Sequence, residues 1–431
     1  MKVDLDILSP IRRRIRVELP ADAVNKEFFR AYESLGKRVR IPGFRPGKAP
    51  RSILQGRYGD EVRGQVRSRL VEQSLSEIIK ENGLSVVSHP EIETDPLEEG
   101  RAFSFSAVVE VKPEIEVSRY RGLEVEKVKL SVGKEQVEQA LKRLQESHGQ
   151  LEPVEDRQVV EPGDFVVLDY TGFVDGKPFP GGQAQSYPLD LGSGEALPEF
   201  EQAIIGLKKN GGHTVRVAYP EGHFDPALAG KVVEFSVTVR EIKKKILPPL
   251  DDEFAKDHGE CASLDELRNK VRTRLESEFQ EIQTRDLKEQ LLTRLIESHP
   301  FEVPSAMVEQ QLRYLWERQQ ARLRSAQVAR APTLEQVRKE LEPQAERHVR
   351  ATLLVEKIAE REGITIPEEE VQARVEGMAR AAGEKGLAVR RIYAREEARG
   401  DLRSQMVFER AVDFLLGHAK VTEKETERVK G

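Results

Sequence analysis

A single cysteine, Cys261, stands among 431 residues. That excludes an intramolecular disulfide and any thiolate-rich metal site, and it is the usage expected of a reducing compartment. Tryptophan occurs once and aromatics make up only 6% of the chain, too little to fill one thick core. No stretch approaches the roughly 20 consecutive apolar residues that span a bilayer, so no membrane partner is expected. Met1 to Pro20 sets Lys2, Asp4, Asp6 and Arg12 to Arg14 among its apolar residues, which leaves no apolar centre of a secretory signal. The expected location is cytoplasmic. A large excess of one charge is missing too. The formal net charge of −6 argues against a chain that coats nucleic acid along its length, so any anion-binding surface must be local.

What is abundant is charge of both signs, 33% of the residues against a usual value of about 25%. Long solvated helices fit that balance, and a length of 431 residues suggests about three domains. Ile15, Val17 and Leu19 alternate with polar residues as a strand does, and Phe103, Phe105, Ala107, Val109 and Val111 repeat the pattern. Between them, Val24, Phe28, Tyr32 and Leu35, then Val62, Val66, Leu70, Leu75 and Ile78, recur at helical spacing. The first helix breaks at Ile41-Pro42-Gly43, Pro50 opens the second, and Asn82-Gly83 closes it. Residues 1–111 therefore read as a small α+β domain whose two helices flank a loop. Residues 112–149 read as a charged linker arm with Val137, Leu141 and Leu144 on one helical face. Over 150–245 the period becomes two, with a hairpin signal at Asp175-Gly176. From 246 to 431 everything reads as helix, with capping boxes at Ser263 to Glu266 and Thr333 to Gln336. Pro300, Pro304, Pro332, Gly363 and Pro367 cut that region into hairpin-sized pieces. The fold class is thus multidomain α+β, with a β-rich middle and an all-α C-terminal part.

The loop between the first two helices is Gly43-Phe44-Arg45-Pro46-Gly47-Lys48-Ala49-Pro50. A glycine-punctuated tip with one aromatic beside two cations suits a partner offering an apolar socket among carboxylates or phosphates. Lys37, Arg38, Arg40, Arg51 and Arg57 add positive charge around it. The alternative is a Phe44 buried in its own domain beside a solvated basic face. A phosphate-binding loop fits worse. That motif needs four residues between its glycines and a serine or threonine after the lysine, and here there are three, then Ala49. The tip resembles the ribosome-docking signature of trigger factors and matches it at every fixed position, with Pro46 at the variable one. The resemblance implies that Gly43, Phe44, Arg45, Gly47 and Lys48 bind the ribosomal large subunit at the exit tunnel, through ribosomal protein and rRNA. It also implies nascent and unfolded polypeptides as partners, and a homodimer off the ribosome.

In the β-rich middle, Leu168-Asp169-Tyr170-Thr171-Gly172, Asp175-Gly176-Lys177-Pro178-Phe179, Leu191-Gly192 and Val233 to Val239 occur in order. They resemble FKBP-type prolyl isomerases. The resemblance implies an aromatic pocket of Tyr170, Phe179, Tyr187, Leu197, Phe200, Phe224 and Phe235, needing no metal, cofactor or nucleophile. Pro180 stands where the family often carries an acid, and Phe200 where it often carries tryptophan. The alternative for each aromatic is an ordinary place in the barrel core. Leu247 to Phe254 is similar to the way trigger factors leave this domain, and the helices beyond resemble their chaperone body, with which the resemblance implies that the 112–149 arm packs. Leu312, Leu315, Trp316 and Leu323 are candidates for lining a cradle, against helix packing as the commoner fate.

The eight histidines show no metal-ligand spacing such as His-Glu-x-x-His, and Gly192-Ser193-Gly194 reads as a turn. With no nucleotide site, the expected activity is that of an ATP-independent chaperone carrying a peptidyl-prolyl isomerase. Two rivals stand beside it: a free FKBP-type isomerase that does not dock on ribosomes, and an RNA-binding protein using the basic N-terminal helices.

Overall fold

A computed structural model describes the chain except residues 43, 45–49, 129–130, 175, 195, 220–227, 229, 260, 326–331 and 425–431 and the side chain of residue 180. The chain forms two compact units, residues 1–129 with 283–431, and residues 130–282.

The first unit opens with β1 (Lys2–Ser9) and β2 (Arg12–Leu19), helices α1 (Ala21–Arg38) and α2 (Arg51–Glu81), and strands β3 (Glu91–Thr94) and β4 (Phe103–Glu110). The strands form an antiparallel sheet in the order β1-β2-β4-β3. Period-two alternation sends Ile15, Val17, Leu19, Phe103, Phe105, Ala107 and Val109 to one buried face. Against it lie Val24, Phe28, Tyr32 and Leu35 of α1 and Val62, Val66, Leu70 and Ile78 of α2. Each such side chain contributes about 1.5–3 kcal/mol when taken out of water. The end of α2 shows why the Asn82-Gly83 signal works. Gly83 adopts φ +60°, which lets Leu84 N–H reach the Ile79 carbonyl at 3.0 Å and Gly83 N–H that of Lys80 at 3.3 Å. Strand β1 was not anticipated. Its alternation of Val3, Leu5 and Ile7 with charges is genuine, but as an edge strand outside the helix cover it leaves all three exposed. Strand β5 (Glu124–Val128) follows.

The second unit holds α3 (Lys134–Ser147), β6 (Gln150–Pro153), β7 (Asp164–Val174), β8 (Lys177–Asp190), α4 (Pro198–Ile204), β9 (Gly212–Ala218), β10 (Val232–Ile246), α5 (Asp252–Asp257) and the first part of α6 (Leu264–Ser298). The sheet runs β6-β10-β7-β8, with β9 also paired to β10. At the junction of β7 and β8, Val174 faces Lys177. Gly176, at φ +76°, supplies the left-handed backbone that so short a turn requires. Helix α4 crosses a core of Val166, Leu168, Leu189, Ile204, Val217, Val233, Val237 and Val239. Val137 and Leu141 of α3 pack separately on Phe254, Ala255, Cys261 and Leu267.

The first unit resumes with the rest of α6, then α7 (Ser305–Ser325), α8 (Leu334–Glu362), α9 (Glu368–Ala381), α10 (Gly386–Ile392), α11 (Glu396–Gly417) and β11 (Lys420–Lys424). Leu291, Leu295, Leu354, Val355, Ile358, Ala411, Val412 and Leu415 form the core of this helical body, joined by Val117, Tyr120 and Val125 from before α3. The 112–149 arm is therefore divided: its first half packs in the helical body and α3 packs in the other unit. The expectation of helix throughout 246–431 needs correcting at its end. Strand β11 runs parallel to β5, Val421 opposite Val125, and with one apolar residue in five it carries no strand signal of its own. Among the described residues, no helix is long and apolar enough to cross a membrane.

Candidate active site and docking tip

Four aromatic rings meet on the inner face of the second unit's sheet. Tyr170 on β7 stands edge-on to Tyr187 of β8 at 5.5 Å between centroids, to Phe235 of β10 at 5.8 Å and to Phe200 of α4 at 6.0 Å. Phe200 and Phe235 are 5.1 Å apart at 68°, within the edge-to-face range that aromatic quadrupoles favour. These four rings, with Phe179 and Leu197, line a cavity of about 280 Å³. Phe200 and Phe235 are buried at its floor, while Tyr170, Phe179, Tyr187 and Leu197 are half-buried at its walls. Of the seven pocket residues expected from sequence, six converge, and Phe224 lies outside the described residues.

Two glycines explain how Phe179 reaches the cavity. A Cβ at Gly172 would stand 2.7 Å from the Phe179 ring and 2.9 Å from that of Phe235, and a Cβ at Gly182 would stand 2.5 Å from Phe179. Only bare backbone at both positions leaves room for the ring where it stands.

The cavity also takes in Gly181, Gly182, Ala196, Tyr219 and Leu228, which the sequence reading missed. Tyr219 was within reach, since it continues the inward alternation of Val215 and Val217, both buried. Leu228 lies beyond a stretch without periodicity. Burial raises the pKa of the Tyr170 and Tyr219 phenols above the ordinary value, so both hydroxyls stay neutral. The walls are otherwise apolar. Such a pocket can hold a proline ring and strip water from the carbonyl before it, which favours a twisted amide over a planar one. Among the described residues there is no group of three metal-binding side chains.

At the tip between α1 and α2, Ile41 is buried, whereas Phe44 is 40% exposed and its N–H donates to the Ile41 carbonyl at 3.1 Å. The alternative of a Phe44 sunk in its own domain is thereby removed. Gly43, Arg45, Gly47 and Lys48 lie outside the described residues. The surrounding charge is smaller than its composition implied. Lys37 pairs with Glu33 at 2.8 Å, and Arg51 is held by Glu99 while its guanidinium lies 4.9 Å over the Tyr32 ring. Arg38, Arg40 and Arg57 are exposed.

The candidate cradle residues fare differently. Leu312 is fully buried against Val337, Leu341 and Ala345 of α8, so as a surface contact it is corrected to a packing residue of the α7–α8 pair. Leu315 and Trp316 are half-buried in the same cluster, with Trp316 Nε1–H donating to the Pro332 carbonyl at 3.3 Å. Leu323 is half-buried, and Tyr314, not singled out from sequence, is 57% exposed.

Known proteins agree along the whole chain. Residues 1–144 match the family model described as bacterial trigger factor protein, residues 263–417 that of its C-terminus, and residues 156–240 that of FKBP-type peptidyl-prolyl cis-trans isomerase. Trigger factor of Geobacter sulfurreducens is 36% identical over 431 residues, covering 99% of this chain and 100% of its own. That of Syntrophotalea carbinolica is 35% identical over 428 residues, 98% of this chain and 96% of its own. A solved trigger factor chaperone, described for promiscuous substrate recognition in folding and assembly, shares the fold with a TM-score of 0.52 at 23% identity, covering 97% of this chain and 99% of the other. Identity above 30% over nearly the full length of both sequences, with three family models in the same order as the structural regions, means that this chain belongs to the trigger factor family, ribosome-associated chaperones that carry a peptidyl-prolyl isomerase domain.

Proposed function

We propose that the chain works through two separate aromatic devices: a tip that anchors it on the ribosome at Phe44, and a pocket that isomerises X-Pro bonds through Tyr170, Phe179, Tyr187, Leu197, Phe200, Phe224 and Phe235. The observation that carries the pocket reading is the convergence of six of those residues on one cavity of about 280 Å³, large enough for a proline ring and its neighbours. Rotation about an X-Pro bond faces a barrier of about 20 kcal/mol, largely amide resonance. Apolar walls lower it by desolvating the carbonyl, and the Tyr170 phenol, kept neutral by burial, stands among those walls.

For the tip, a 40% exposed phenylalanine followed in sequence by Arg45 and Lys48 supports docking on a site with an apolar socket bordered by carboxylates and rRNA phosphates near the exit tunnel. Gly43 and Gly47 complete the docking set. Leu315, Trp316 and Leu323, with exposed Tyr314, would then meet unfolded segments in a helical body free of ATP chemistry, in the cytoplasm. The chain forms a homodimer when off the ribosome.

Co-sedimentation with bacterial ribosomes tests the tip. The intact chain should pellet with them, and a Phe44→Ala, Arg45→Ala variant of unchanged circular dichroism should not. Equal binding by both would move the ribosome contact elsewhere on the chain, and binding by neither would favour the free isomerase. Isomerisation of a peptide with an apolar residue before proline tests the pocket. A folded Phe179→Ala, Phe235→Ala variant of undiminished rate would remove the assignment.

A further inference from the structure

Beside the pocket, on the opposite side of β7 from the rings, one carboxylate joins two irregularities of the sheet. The pairing of β7 with β8 slips between Leu168, opposite Tyr187, and Tyr170, opposite Ala184. Gln185 and Ser186 therefore bulge across from Asp169. The pairing of β7 with β10 slips between Val239, opposite Leu168, and Glu241, opposite Val167, so Arg240 is the extra residue on that side. Asp169 Oδ1 accepts from Ser186 N–H at 2.7 Å, and its Oδ2 accepts from Arg240 Nε at 2.7 Å.

Ser186 has φ +51°, a left-handed conformation that a side chain disfavours. The next residue, Tyr187, is a wall of the cavity, and Tyr170, next to Asp169 on β7, packs edge-on against it. A β-bulge commonly re-aims a side chain beside a functional site, and this one depends on a hydrogen bond from outside its own strand. The two bonds hold the Asp169 carboxyl below the usual carboxylate range, the Ser186 amide more than the Arg240 side chain. The acceptor is thus ionised throughout the neutral range.

We propose that Asp169, itself held by Arg240, is a positioning residue of the isomerase: it pins Ser186 in its left-handed turn and thereby sets the Tyr187 wall against Tyr170. It touches no part of the cavity, so its contribution is to substrate grip. The inference rests on the isomerase reading of the pocket, and the test separates the two.

With a peptide bearing an apolar residue before proline, Asp169→Ala should raise KM about tenfold and leave kcat within about twofold, the signature of lost binding rather than lost chemistry. Glycine accepts a positive φ without a side-chain penalty. Ser186→Gly should therefore be nearly silent alone and should restore most of the affinity in the Asp169→Ala background, which repair of mere fold stability would not do. Adding Arg240→Met to Asp169→Ala should change nothing more, because Arg240 acts through the carboxylate. Asp169→Asn, which keeps the side-chain shape and one acceptor, serves if Asp169→Ala does not fold, with an expected loss between wild type and alanine. An unchanged KM in either folded variant, or no rescue by Ser186→Gly, overturns the proposal. Inactivity of the wild type would instead sink the isomerase reading. In that case the Tyr187 ring resonances of labelled protein still decide: they shift in Asp169→Ala if the carboxylate sets the ring, and stay in place if it does not.

Discussion

The tip and the pocket use the same kind of side chain in opposite ways. Phe44 is 40% exposed at the end of two helices, so its apolar surface is available to a partner that already has a socket. Phe235 and Phe200 are 5% and 8% exposed and are fixed by a sheet and a helix, so their surface is the socket. Removing the first ring should cost the fold almost nothing and, on the proposed docking role, the partner much. Removing a ring of the second kind costs both, because one side chain fills the core and faces the ligand. An aromatic in this chain thus reports its role through its support: a loop end for reaching out, paired strands for receiving.

The strongest way to break that contrast is Phe235→Ala. It should lower the unfolding free energy of the isomerase region by about 3–5 kcal/mol, as large-to-small core changes do, and abolish proline isomerisation; denaturant melts and peptide kinetics on one preparation read both. Phe179→Ala, half-buried at the wall, should lose activity with a much smaller change in stability.

Next in size, Phe44→Ala should weaken ribosome affinity by about 2–3 kcal/mol, the scale of an interface anchor. Melting and isomerase rate should stay as in wild type. A shifted melting curve would mean that Phe44 serves its own domain after all. Gly172→Ala sharpens the picture of the pocket. Its Cβ would collide with Phe179 and Phe235, so the ring of Phe179 must leave its place and kcat/KM should fall about tenfold, roughly 1.4 kcal/mol.

The smallest effect belongs to the α7–α8 pair, where Arg338 donates to Glu309 at 2.9 and 3.0 Å. The hydrogen bond from Arg338 holds the Glu309 pKa below its ordinary 4.5. A carboxylate with a lowered folded-state pKa stabilises the fold above its unfolded value, and that contribution is lost as pH falls through the folded value. Arg338→Met should therefore lower the melting temperature slightly at pH 7. The gap from wild type should narrow once pH drops below about 4.5 and close at lower pH. Partial exposure keeps the effect small.

Local chemistry made much of the fold readable. The alternation of β2 and β4, the helical spacing of α1 and α2, the Asn82-Gly83 stop and the turn at Gly176 each follow from side-chain period or backbone freedom. At Thr333 the return half of the expected box is bonded, the Gln336 side chain accepting from Thr333 N–H at 2.9 Å. At Ser263 one half of the expected box is present, Ser263 Oγ accepting from Glu266 N–H at 3.3 Å, while the Glu266 side chain reaches back one residue further, to the N–H of Ala262 at 2.7 Å. Pro343 sits inside α8, where proline ordinarily interrupts, because Leu341, Ala345 and Val349 on either side are buried by tertiary packing. Strand β11 has no signal because its partner β5 lies almost 300 residues earlier.

By itself, the sequence determined the order of the three kinds of structure, the presence of a tip motif and an aromatic set in fixed order, because these rest on residue type and short-range spacing. The tertiary structure alone decided which aromatic faces outward, that Leu312 is core, that Arg51 is held by Glu99 and Tyr32, and that Tyr219 and Asp169 belong beside the pocket. Those outcomes depend on which distant segments pack together, and burial, ion pairing and ring contacts across 50 or 70 residues of chain leave no periodic trace in the segments that make them.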